Sequence, residues 1–132
     1  MKRVLDFLKA NPVFQLATVE GDQPRCRPFG FHMVVDDKLY FCTGEGKKVW
    51  NQLKANPKFE LSVSTANGEW LRLAGKAVFD SRPELVEKAF EVMPGLKDLY
   101  GPGKGATMAV FYVAEGQATL ADMQGRNESF SI

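Results

Sequence analysis

Residues 59–80 read FELSVSTANGEWLRLAGKAVFD. Apolar and polar residues alternate on both sides of Asn67-Gly68. That dipeptide is the strongest hairpin signal in the chain. The spacing predicts a strand over Phe59–Thr65 and a return strand over Glu69–Asp80. A chain organised around such a hairpin is built from antiparallel strands.

Moving outward, the same alternation and turn signals predict strands over Val13–Glu20, Arg25–Val35, Lys38–Thr43, Thr107–Val113 and Gln117–Met123. The turns between them fall at Gly21-Asp22, Asp36-Asp37 and Glu115-Gly116. Three short helices interrupt the strands. Lys2–Ala10 places Val4, Leu5 and Leu8 on one face, and Lys47–Ala55 does the same with Val49, Trp50 and Leu53. Pro83–Met93 opens with a capping-box spacing, Ser81 to Glu84, and stops at Pro94-Gly95. An echo supports these boundaries: LKANPVFQL (8–16) and LKANPKFEL (53–61) each end a helix before proline and then begin a strand. Mostly sequential antiparallel strands suggest a barrel, which removes exposed edges. The polar tail, Gln124–Ile132, is read as a segment that frays or docks.

At 132 residues the chain suits one domain, 1–132, with one core. The net charge of +1 creates no global field for nucleic acid or an anionic membrane, so neither partner is expected. No apolar run has the length of a membrane span. Lys2, Arg3, Asp6 and Lys9 interrupt the N-terminal apolar residues, unlike the h-region of a signal peptide. Cys26 and Cys42 have no CxxC spacing and no His cluster beside them, so no metal site is expected. A reducing cytoplasmic setting fits two free thiols.

One segment suggests an anion site. Thr43-Gly44-Glu45-Gly46-Lys47-Lys48 joins a strand end to a helix start. Free amides at a helix start, a hydroxyl and two ammonium groups together suit a phosphate. The alternative is a solvated basic helix start. The segment is not a Walker A loop, since Phe41 stands where its first glycine would fall and Lys48 where Ser or Thr would. In Arg25-Cys26-Arg27, alternation puts both guanidinium groups on one strand face. If Asp36-Asp37 is a two-residue turn, Gly30 lies across from Thr43 and brings the arginines near that loop. Otherwise they are surface charges. Trp70 could lie beside a cofactor or belong to ordinary core. His32, the sole histidine, is read as structural, and Gly101–Gly105 as a flexible connection. No residue is singled out as catalytic.

Taken in order, FQLATVEGDQPRCRPFGF (14–31), DDKLYFCTGEGKKVWNQLKANPKFELSV (36–63) and EWLRLAGKAVF (69–79) resemble the pyridoxamine 5′-phosphate oxidase-like flavin-binding split barrels. The likeness is strongest to the short nitroimidazole-resistance-like branch. It implies a mainly β, six-stranded antiparallel split barrel with a few short helices, a homodimer, and FMN in a groove at the interface. It also implies cofactor-binding roles. Arg27, and second Arg25, would meet the FMN phosphate; Cys42 and Thr43 would contact the cofactor; Lys47 and Lys48 would hold the phosphate; Glu69 or Trp70 would approach the ring or ribityl chain. The tail GRNESFSI (125–132) departs from the oxidase's C-terminal segment, so pyridoxamine phosphate is not the implied substrate. The expected function is an FMN-dependent oxidoreductase acting on a small molecule. The alternatives are a flavin carrier or redox sensor without turnover, or a barrel binding haem or a deazaflavin.

Overall fold

Hydrophobic alternation is translated into one antiparallel sheet in a computed structural model that describes residues 1–132. The elements in chain order are α1 (Lys2–Ala10), β1 (Phe14–Glu20), β2 (Gln23–Phe29), β3 (Met33–Val35), β4 (Lys38–Gly44), α2 (Lys48–Ala55), β5 (Lys58–Ser64), β6 (Glu69–Asp80), α3 (Pro83–Val92), a 3-10 turn (Pro94–Leu96), α4 (Lys97–Tyr100), β7 (Met108–Asp122) and β8 (Asn127–Ser131). The strand order is β2-β1-β5-β6-β7-β4-β3, with β8 added to β7. The sheet therefore has eight strands, two more than the six expected for the split barrel.

The hairpin that decided the fold is present, with Ser64 opposite Trp70 and Leu61 opposite Leu73. On β5, Phe59, Leu61 and Val63 are buried while Lys58, Glu60, Ser62 and Ser64 face outward. One core runs through the sheet, with Phe14, Leu16, Phe41, Leu61, Leu71, Leu73 and Phe111 almost wholly buried. The amphipathic faces of α1 and α2 close it through Val4, Leu8, Val49 and Leu53. A smaller cluster around Tyr40, Leu85, Ala89 and Leu96 seats α3 and the turn after it. Asn11 and Asn56 follow α1 and α2 at the positions the sequence echo predicts.

Four expectations need correction. Arg25–Val35 is not one strand: β2 pairs with β1, the chain breaks over Gly30–His32, and β3 pairs with β4. Glu115-Gly116 is not a hairpin turn. It is a bulge inside the continuous β7, where the β6–β7 register shifts between Ala74 and Lys76. Gly75 makes that bulge possible, since a Cβ there would lie 2.8 Å from Val113 Cγ1. The tail is neither frayed nor loose, because β8 pairs residue by residue with β7 from Gln117 to Ala121. Finally, α3 has no capping box. Arg82 is its N-cap, and its backbone N–H donates to Asp80 Oδ1 at 3.2 Å. No helix is long and apolar enough to cross a membrane.

Candidate functional site

Asp36 and Asp37 form the expected tight turn, with φ of 52° and 60°. The β3–β4 pairing it starts runs to Met33 opposite Tyr40 and stops there. Beyond that rung the two chains diverge, and the space between them is a cavity of about 350 Å³. Its polar side is lined by Arg27, Thr43 and Lys47, and its floor by Phe29, Gly30, Phe31, Cys42 and Val49. Met93, Leu96, Leu99 and Tyr100 form an opposing wall. The lining carries two cationic side chains and no carboxylate.

Arg27 is held before any ligand arrives. Its Nη1 donates to Leu16 O at 3.1 Å and Thr18 Oγ1 at 2.7 Å, and its Nη2 donates to Gln52 Oε1 at 2.6 Å. The buried Thr18 hydroxyl also donates to Gln52 Oε1, at 2.5 Å. A guanidinium has five N–H groups, so Nε–H and one Nη2–H remain uncommitted within the chain. Together these form the side-on edge that meets an oxyanion with two parallel bonds. Burial lowers the Arg27 pKa from its usual value, but an arginine remains charged.

Two further donor groups face the same space. Thr43 is 95% covered, yet its hydroxyl makes no hydrogen bond within the chain and borders the cavity. At the start of α2, the backbone N–H groups of Lys48, Val49 and Trp50 lack carbonyl partners, as the first turn of any helix does. Gly46, at φ +83°, makes the turn into that helix in a conformation disfavoured for other residues. Lys47 is the extended N-cap, and its Nζ donates to the Tyr100 hydroxyl at 3.3 Å. A hydroxyl open to the cavity, an uncommitted guanidinium edge and free helix amides fit a phosphate group.

Cys42 also borders the cavity. Burial pushes its thiol up to about 12, with Lys47 opposing weakly, so it stays a neutral, non-nucleophilic group.

Of the residues singled out from the sequence, Arg27, Cys42, Thr43 and Lys47 come together. The others do not line the cavity. Arg25 is exposed and pairs with Glu20 at 3.0 Å. Lys48 is exposed on α2. Glu69 opens β6 and pairs with Arg126 at 3.5 Å. Trp70 follows on β6, half-buried and opposite Ser64 and Ala121. His32 sits in the β2–β3 connection, where burial lowers its pKa. Sequence reasoning missed Thr18, Gln52 and the wall from Met93 to Tyr100. Gln52 had a legible signal: it occupies the inward stripe of α2 with Val49 and Leu53, where an unpartnered amide would be costly.

The comparisons with known proteins agree with this architecture. The family model for pyridoxamine 5′-phosphate oxidase matches residues 1–124. A NimC/NimA family protein from Clostridium acetobutylicum is 45% identical, covering 100% of this chain and 92% of its own, with a TM-score of 0.92. Two more distant structures share the fold. A pyridoxamine 5′-phosphate oxidase-related, FMN binding protein from Nostoc punctiforme is 18% identical, covering 99% of this chain and 95% of its own, with a TM-score of 0.64. A heme binding protein from Mycobacterium smegmatis is 18% identical, covering 91% of this chain and 52% of its own, with a TM-score of 0.69. No curated protein matches the chain. With a whole-length relative at this identity and a family model spanning nearly all of the sequence, the chain belongs to the pyridoxamine 5′-phosphate oxidase-like split barrels, in their nitroimidazole-resistance-like branch.

Proposed function

We propose that this chain is an FMN-binding flavoprotein that acts as an oxidoreductase on a small molecule. The observation that carries the reading is that Arg27 with its uncommitted N–H groups, Thr43 with its unbonded hydroxyl, and Lys47 and Val49 at the amide-rich start of α2 line one cavity. Arg27, Thr43, Lys47 and these amides hold the phosphate. Bound FMN supplies hydride or electron transfer, which is why few catalytic side chains are needed. The chain's own part is to bind and orient. Phe29, Phe31, Met93, Leu96 and Leu99 exclude water and offer a flat group apolar surface. The lining holds no carboxylate or imidazole, so no proton transfer is assigned to a side chain.

The reading includes a cytoplasmic homodimer. Met93 and Leu99 are 38% and 58% exposed at the rim, where a second copy would cover them. A second copy would also be the source of Glu69 or Trp70, which lie away from the cavity within one chain.

The test is the visible spectrum of freshly purified protein, with the released chromophore identified by mass and the assembly size measured by sedimentation. Bound FMN in a dimer is the expected result. Colourless protein that ignores added FMN sinks the proposal, and a haem spectrum replaces it. Steady-state reduction by a nicotinamide donor with an added acceptor then separates an enzyme from a carrier or sensor.

A further inference from the structure

Lys47 is an exposed lysine on a turn, and a flexible ammonium is a poor phosphate ligand unless something orients it. The structure supplies that something from a distant part of the chain. Tyr100, the last residue of α4, lies 53 positions further along, and its hydroxyl accepts a hydrogen bond from Lys47 Nζ at 3.3 Å. The ammonium also sits 5.8 Å from the centre of the Tyr100 ring. Both side chains lie over Gly44. A Cβ on that residue would stand 3.2 Å from Lys47 Cε, 3.3 Å from Tyr100 Cε1 and 3.4 Å from the Tyr100 hydroxyl. Gly44 is itself buried and hydrogen-bonds through its carbonyl to Lys47 N–H at 3.2 Å. The missing side chain at Gly44 is thus the seat on which the lysine stem and the phenol ring meet.

The backbone on both sides of Tyr100 is fixed. Directly after it, Gly101 folds back so tightly that a Cβ would lie 2.4 Å from Lys97 O. Leu96, at the start of the same short segment, is 93% covered in the smaller core cluster. Tyr100 also lines the cavity beside Leu99.

Resting on the flavin reading above, we infer that Tyr100 is a positioning residue that aims Lys47 at the phosphate and thereby sets the preference for FMN over the unphosphorylated riboflavin. An ammonium has three N–H groups. Tyr100 occupies one, which leaves two for the phosphate while the stem is pinned over Gly44. Riboflavin has no group for that ammonium, so its binding is indifferent to the Lys47–Tyr100 contact. A residue serving only as a wall for the flavin would act on both ligands alike.

The experiment is a fluorescence titration of the apo dimer with FMN and with riboflavin, for the parent, Tyr100→Phe, Lys47→Ala and the double variant. Tyr100→Phe keeps the ring and removes the hydroxyl. The expected result is FMN affinity lower by about three- to tenfold with riboflavin affinity unchanged. In the Lys47→Ala background, Tyr100→Phe has no further effect on FMN. Gly44→Ala, which pushes on both side chains, lowers FMN affinity in the same selective way. Equal losses for both flavins, an unchanged FMN affinity in Tyr100→Phe, or additive losses in the double variant overturn the inference. A parent that fails to prefer FMN overturns the phosphate reading of the site itself, an outcome visible before any variant is compared.

Discussion

Arg27 on β2 and Gln52 on α2, 25 residues apart, meet at 2.6 Å through Nη2 and Oε1. The bond joins the strand that carries the half-buried Arg27 cation to the helix that carries the free amides. Gln52 extends the link, since its Nε2 donates to Glu20 Oε2 at 3.3 Å, and Glu20 in turn accepts from Arg25. Arg25 and then Gln52 hold the Glu20 carboxyl below the usual carboxylate range. Arg25 therefore acts at one remove, as a partner of the residue that steadies Gln52.

Removing the Gln52 amide tests this arrangement. Gln52→Ala leaves the Thr18 hydroxyl and Arg27 without their shared buried acceptor. We expect a loss of about 1–3 kcal/mol in stability by urea denaturation, with FMN affinity lower by about tenfold. Gln52→Ala with wild-type affinity would show that the open edge of Arg27 needs no support.

The two lysines are expected to differ. Lys47 lines the cavity and Lys48 does not. Lys47→Ala lowers FMN affinity about tenfold, equivalent to ~1.4 kcal/mol, while Lys48→Ala changes it by less than about twofold. Titration of both single variants at two salt concentrations decides the matter. Equal effects would indicate a diffuse basic surface in place of a built site.

The cysteines offer a chemical check. Cys26 is exposed and Cys42 is not. Iodoacetamide should label the native protein once, at Cys26, and a second time only after unfolding. Because the folded Cys42 thiol titrates at about 12 and the usual value is 9.0, the unfolded chain releases its proton first as pH rises. Stability from this group is therefore present below about pH 9 and declines from there toward about pH 12. Cys42→Ala should flatten that part of the stability profile.

His32 works in the opposite direction. Burial holds its imidazole below the usual value of 6.5. On acidification the unfolded chain takes up a proton that the folded chain resists, so stability falls as pH drops below about 6.5. Being the sole histidine, its ring resonances are unambiguous by NMR. His32→Gln should reduce the difference in urea midpoint between about pH 7.5 and about pH 5. An unchanged difference would assign the acid sensitivity to carboxylates.

Local chemistry made much of this legible in the sequence. Asn67-Gly68 and Asp36-Asp37 mark turns that few other dipeptides make, and proline ends α1 and α2 through a steric clash with its predecessor. The phosphate-fitting cluster was visible as residue types because Thr43, Lys47 and the start of α2 are neighbours in the chain. What stayed hidden depends on tertiary partners. Glu115-Gly116 looks like a turn, yet the close approach of Gly75 to Val113 resolves it as a bulge within one long strand. The tail reads as a polar segment that frays or docks, but Phe130 and Ile132 pack against the core while its polar residues face water. The wall from Met93 to Tyr100 lies more than a third of the chain away from Thr43, and no local pattern announces which cavity a short helix will face.

The placement of that wall has a consequence for how the protein could change over evolutionary time. Asp80 and Val110 are register partners on β6 and β7, so the excursion carrying α3 and α4 leaves and re-enters the sheet at a single rung. Its ends are already held together by the barrel, and the entropy of closing a loop grows slowly with its length. With Tyr100 kept over Gly44, residues elsewhere in the excursion can be inserted or exchanged without disturbing strand pairing or the polar end of the cavity. The chain thus separates a fixed anchoring module from an interchangeable one, and related proteins could acquire new small-molecule preferences by rewriting one excursion while the rest of the sequence stays in place.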